Sequence, residues 1–156
     1  AKTRGLMESL SGKGVYEITE DMKQKLTDFY GNYASEEEVS ETIAKLYKED
    51  HYVIDTHTAV AACVLEKYRR ETGDGTKTVL ASTASPYKFA RSVLHAIDGK
   101  RFDGMTDLEQ IDALKEVSGV EVPGAIEEIR SAPVRHDTVA DVDGMEAAVR
   151  KILGLN

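Results

Sequence analysis

"TKTVLASTASPYKF", residues 76–89, decides how this chain is read. An apolar run ends in a hydroxyl-rich corner, Ser82, Thr83 and Ser85, and Pro86 then opens a helix. Residues 77–82 predict a buried strand, being short, apolar and bounded by turn residues. Ser85 and Pro86 form an N-cap and N1 pair. A strand that runs into a helix through hydroxyls puts them at its carboxyl end, the edge where open α/β sheets bind ligands. The same residues also suit an ordinary capped turn.

Upstream, "YVID" at 52–55 is short and extended, and Asp55 is a good N-cap for a helix over 56–71. Its first half, "TAVAACVL", is apolar nearly all round and predicts burial. Its second half, "EKYRRET", sets Lys67, Arg69 and Arg70 near the negative end of the helix dipole, with Gly73 as the C′ residue. Ser35 and Glu38 form a capping box that opens a helix through Ile43, Leu46 and Tyr47, ending near Asp50. Thr19 leads into a helix carrying Met22, Leu26 and Phe29, and "SGKG" at 11–14 reads as a turn. "TRGLMESL" is helix-compatible with no capping residue leading in, which fits either a natural N-terminus or a chain cut from something longer.

Downstream, a helix over 86–97 carries Phe89, Val93, Leu94 and Ile97 on one face. Thr106 with Glu109 is a second capping box, opening 107–117. Pro123 starts a short helix through Ile126 and Ile129. "PVRHDTVA" at 133–140 is a second strand candidate. Asp143 caps a last helix through Met145, Val149 and Ile152 to Leu153. Two good strands cannot form a self-sufficient sheet. The chain is therefore either a helical bundle with a small ribbon or a helix-rich α/β chain whose sheet is mostly missing.

At 156 residues the chain is one domain by the usual prior. It is 41% hydrophobic and 31% charged, as soluble globular proteins are. The net charge of −8, with basic residues scattered among acids, argues against nucleic acid as a partner. No apolar run is long enough to cross a membrane, and the first ten residues lack the apolar middle of a signal peptide. The lone Cys63 permits no internal disulfide and fits a reducing compartment, so a cytoplasmic location is expected.

Other chemistry is thin. His51 and His57 are six apart with no further Cys or His cluster, so no metal site is expected. Cys63 sits mid-helix among alanines and valines, where thiols are usually inert. "SGKG" is not a phosphate loop of the Walker type, and no G-x-G-x-x-G occurs. His57 either fills the first turn of its helix and shares in the cap or faces a ligand; the first role is the common one at helix starts.

Two segments together change the weight of the opening stretch. "IDTHTAVAACV" at 54–64 and "LASTASPYKFARSV" at 80–93 resemble the C-terminal part of threonine synthase, a pyridoxal-phosphate enzyme of fold type II. That family has a D-P-H-T-A-V-like segment before a buried helix and, one strand later, an S-T-A-H-P-A-K-F-like segment. Residues 16–55 resemble the helical lead-in, and "PVRHDTVADVDGMEAAVRKIL" resembles the family's last strand and helix. The resemblance implies an α/β, helix-rich fold with few strands from an incomplete sheet, a helical lead-in over 1–51, and a cofactor-facing portion over 52–156. Thr56 stands where proline is usual, which removes only a preset backbone angle. Ser85 stands where histidine is usual, so a ligand role there is in doubt, and Tyr87 replaces a small residue.

The resemblance implies a parent enzyme that converts O-phosphohomoserine and water to threonine and phosphate. It puts the hydroxyl that faces the cofactor's pyridine nitrogen on Thr83, with Ser82 beside it. The family's Schiff-base lysine follows a phenylalanine and precedes an aspartate. No Phe-Lys-Asp occurs here, and Lys88 belongs to the other motif. Hence no catalytic residue is assigned in this chain, the remainder of the threonine synthase chain is its expected partner, and the chain alone is expected to hold no pyridoxal 5'-phosphate. The alternative is a non-catalytic helical module that binds another protein.

Overall fold

The computed structural model describes residues 2–155. They form eight α-helices: α1 Lys2–Lys13, α2 Glu20–Gln24, α3 Glu36–Asp50, α4 Thr56–Thr72, α5 Ala90–Phe102, α6 Asp107–Ser118, α7 Gly124–Arg130 and α8 Met145–Ile152. Short 3-10 turns at Pro86–Phe89 and Val142–Gly144 lead into α5 and α8. The helices divide into two units, one ending at Gly119 and the other beginning at Val120.

The core of the first unit is built by α3 to α6. Helix α3 packs on α4 and on α5, and α5 packs on α6. Each helix sends inward residues three or four apart: Val39 and Ile43; Ala59 and Cys63; Ala90, Val93 and Leu94; Gln110, Ala113 and Leu114. This is the stripe that a 3.6-residue turn buries. Ile43, Val93, Leu94 and Leu114 are all but sealed from water. Helix α5 kinks at Asp98, whose φ/ψ of −162°/81° is not helical, and its last residue, Phe102, is buried.

The caps read from sequence are present. Ser35 and Glu38 close both halves of their box, Ser35 Oγ accepting from the Glu38 amide at 3.2 Å and Glu38 Oε2 from the Ser35 amide at 2.8 Å. Thr106 and Glu109 do the same for α6. Glu38 has a second duty, since Lys67 of α4 donates to it at 2.7 Å and to the Tyr33 carbonyl at 2.8 Å. The ammonium, first, and the Ser35 amide then hold the Glu38 carboxyl below its ordinary pKa. Lys45 and Glu66 join α3 to α4 at 2.7 Å, but half in solvent, where such pairs contribute little.

Several boundaries differ from expectation. The "SGKG" stretch is not a free turn: α1 continues to Lys13 and Gly14 takes the positive φ of 73°. Helix α2 keeps the Thr19 cap but stops at Gln24, short of Leu26 and Phe29. Ser85 caps a 3-10 turn, Pro86–Phe89, before the α-helix proper begins at Ala90. Asp143 does not cap the last helix; it lies inside the 3-10 turn whose N-cap is Asp141. The first half of α4 is less enclosed than its composition suggests, with Val60 37% exposed. No strand occurs among the described residues, and the two strand candidates, 77–82 and 133–140, are irregular and exposed. Strands need a neighbour to take their amides and carbonyls, and within the described residues neither segment has one.

Helix α4 ends at Gly73, with a left-handed φ of 72°, followed by a turn closed on Asp74. Thr76 donates its hydroxyl at 2.6 Å and its amide at 2.9 Å to Asp74 Oδ1, and Tyr68 donates to Oδ2 at 2.8 Å. These bonds, the Thr76 hydroxyl first, lower the Asp74 pKa to about 2.

Two outcomes follow. Leu94→Ala opens a cavity in the sealed core and should destabilise the chain by about 2–5 kcal/mol, read by urea unfolding. Between about pH 4 and the folded value, the unfolded chain binds the Asp74 proton while the folded chain does not. The contribution of this carboxylate is therefore intact above pH 4 and is lost as pH falls toward 2. Asp74→Asn should lower the urea midpoint at neutral pH and make its fall with acid shallower than in the unaltered chain; equal slopes in the two would refute the role of the turn.

Candidate functional site

The site forms where the segment 82–89 meets the start of α4. Asp55 lies one residue before α4, 1% exposed, and its two oxygens are used separately. Oδ1 accepts from the amides of His57 at 2.8 Å and Thr58 at 3.3 Å, which is an N-cap. Oδ2 accepts from the Thr58 hydroxyl and lies 3.4 Å from Ser82 Oγ. Thr58 Oγ1 is in turn 2.9 Å from Ser82 Oγ. Burial by itself would push the Asp55 carboxyl up. The Thr58 hydroxyl and the two amides outweigh it and hold the group below its ordinary pKa, ionised at neutral pH.

Ser82, twenty-four residues beyond Thr58, is thereby fixed to the first turn of α4. Ser82 and Thr83 are both exposed at the surface. Ser85 accepts from the Tyr87 amide at 3.3 Å and so acts as a cap, and Tyr87 is buried beneath the turn. His57 stands at the rim: its ring packs on Phe89 with centroids 4.9 Å apart, and Nδ1 is 3.4 Å from Asp55 Oδ1. That is the packing-and-cap role, with the side chain still 59% exposed. Lys88 lays its ammonium over the Phe89 ring, 5.4 Å from the centroid.

Beside this corner runs an open groove of about 920 Å³ bounded by α3, α5 and the start of α4, with His57, Arg91, His95 and Gln110 among its walls. Ser82 and Thr83 are not among them. No group of three or more His, Cys, Asp or Glu side chains able to hold a metal occurs among the described residues. Cys63 is buried and free.

Sequence reasoning found the hydroxyl corner and the Asp55 cap as separate features. It did not find that Asp55 and Thr58 reach the corner. A trace of this was present in the Asp-x-x-Thr spacing at 55–58, which sets the threonine hydroxyl back over the cap; the contact with Ser82 carries no local signal.

The family described as "Threonine synthase, C-terminal" matches residues 58–152. The threonine synthase of Saccharomyces cerevisiae is 34% identical over 98 residues, covering 59% of this chain and 19% of that protein. The threonine synthase of Schizosaccharomyces pombe is 32% identical over 112 residues, covering 58% of the chain and 22% of that protein. Human threonine synthase-like 1 is 29% identical over 99 residues, 63% of the chain and 13% of that protein. The chain thus spans about a fifth of the length of the two yeast relatives. No helix among the described residues is long and apolar enough to cross a membrane. With the capped α4 and its hydroxyl corner lying within or beside the matched stretch, the chain belongs to the threonine synthase C-terminal family.

Proposed function

We propose that this chain serves a cytoplasmic threonine synthase, which converts O-phosphohomoserine and water to threonine and phosphate with pyridoxal 5'-phosphate, and that its own contribution is one wall of the cofactor site. The observation that carries the reading is an exposed threonine hydroxyl, Thr83, on a turn anchored to a buried carboxylate. A neutral hydroxyl suits a pyridine nitrogen: it donates one hydrogen bond and keeps its proton. A carboxylate in that place would draw a proton onto the ring. When bound, the cofactor supplies the electron sink for carbanion chemistry. Thr83, which follows Ser82 in the turn, orients the ring and keeps its nitrogen unprotonated, which moderates that sink.

The fold type II reading also accounts for apolar residues in open solvent. Val79 is 94% and Leu80 36% exposed in a run with strand composition. In this reading residues 77–82 are a strand of a sheet completed by other polypeptide, and 1–51 are its helical lead-in. A non-catalytic interaction module would account for the exposed Met145, Val149 and Ile152 of α8, but it leaves the paired "DTHTAV" and "STASPYKF" segments without a purpose.

The sequence holds no Phe-Lys-Asp to bind the cofactor covalently and no glycine-rich phosphate loop. The 156-residue chain titrated with pyridoxal 5'-phosphate should give no saturable one-to-one visible absorbance band, and a stoichiometric band would refute the division of labour proposed. In the threonine synthase that carries this chain, Thr83→Ala should weaken cofactor affinity about fivefold, the worth of one hydrogen bond, and slow turnover of O-phosphohomoserine. Unchanged affinity and kcat would remove Thr83 from the site.

A further inference from the structure

We propose that Ser82 is a strut, not a cofactor ligand, and that Asp55 and Thr58 are positioning residues that hold Thr83 in place through it. The proposal rests on the reading of Thr83 given above and separates two adjacent hydroxyls that the motif leaves equivalent.

Proton accounting carries the argument. Asp55 is ionised and offers only acceptors. Thr58 has one hydroxyl proton, and the ionised Asp55 Oδ2, a stronger acceptor than a neutral hydroxyl, takes it. Ser82 Oγ is 2.9 Å from Thr58 Oγ1 and 3.4 Å from Asp55 Oδ2. With the Thr58 proton committed, the Ser82 proton points inward, to one or other of these oxygens. The outward side of Ser82 then carries only lone pairs. Those cannot bond an unprotonated ring nitrogen, which is itself an acceptor. Both residues are exposed, but Ser82 Oγ is engaged by Thr58 and Asp55, so of the two Thr83 is the hydroxyl left open to a ligand.

The tether is also mechanically placed. Asp55 is sealed at 1% exposure, so moving it would strand a charge in the interior. Its Oδ1 is locked by two helix amides, which fixes where Oδ2 lies. On the other side, Ser85 caps the turn that buries Tyr87. Ser82 and Ser85 thus pin residues 83 and 84 from both ends. Pinning in advance reduces the conformational freedom a ligand must remove on binding.

The test uses Ser82→Ala, Thr58→Val and their combination, with Thr58→Ser as the conservative control and Thr83→Ala in parallel. In the 156-residue chain without cofactor, amide hydrogen exchange at 83–85 should speed up in Ser82→Ala and Thr58→Val and stay near the unaltered rate in Thr58→Ser. In the threonine synthase carrying the chain, Ser82→Ala and Thr58→Val should each weaken pyridoxal 5'-phosphate about fivefold. The double variant should lose no more than either single, since both cut one chain of bonds. With ring-15N cofactor at saturation, Ser82→Ala should keep the hydrogen-bonded nitrogen signal and Thr83→Ala should lose it. Unchanged exchange, additive affinity losses, or loss of the nitrogen signal in Ser82→Ala would each overturn the strut. If Thr83→Ala alone leaves affinity and signal intact, the Thr83 reading fails and the positioning role goes with it, while the exchange rates still report whether the tether exists.

Discussion

One carboxylate organises the first unit. Asp55 is buried, no Lys or Arg among the described residues is paired with it, and its charge is held by hydrogen bonds from two helix amides and the Thr58 hydroxyl, with His57 alongside. Hydrogen bonds to an ionised acceptor are stronger than those between neutral groups. That is how the group tolerates an environment that would otherwise neutralise it. From this position it starts α4, the helix on which α3 packs, and it reaches a corner more than twenty residues away in sequence.

The division between what is enclosed and what is exposed follows from how backbones are satisfied. A helix pairs its amides and carbonyls within itself, so α3 to α6 can assemble a sealed core around Ile43, Val93, Leu94 and Leu114. A strand cannot do this alone. Residues 77–82 and 133–140 have strand composition without a neighbour, and Val79, Val134 and Val139 stand 87–94% exposed. The second unit has the same character. The apolar side of α8, Met145, Val149 and Ile152, is 52–73% exposed. The chain spans about a fifth of its yeast relatives' length and leaves these apolar surfaces uncovered among the described residues.

The legible features were those with local causes. Ser35 with Glu38 and Thr106 with Glu109 announce helix starts because each capping box is closed within four residues. Asp55 and Gly73 bound α4 for the same reason. Reading failed where two local outcomes are nearly equal in energy. Ser85-Pro86 starts either an α-helix or a 3-10 turn, and the turn occurs as far as Phe89. The acids at 141 and 143 both suit a cap, yet Asp143 falls inside the 3-10 turn, and Asp141, at its N-cap position, makes no side-chain cap bond. The strand expectations at 77–82 and 133–140 failed for a different reason: composition reports suitability for a sheet, and a sheet is a property of neighbours.

The sequence by itself determined the starts of α3, α4 and α6 and the stop of α4, the apolar stripes that make the core, and the motif pair that marks the family, because caps, periodicity and motifs are all written within a few residues. Only the tertiary structure decided that the Ser82 hydroxyl is bonded to Thr58 and Asp55. That choice depends on a contact spanning twenty-four residues, and it exists only once α4 and the 82–89 turn are packed side by side.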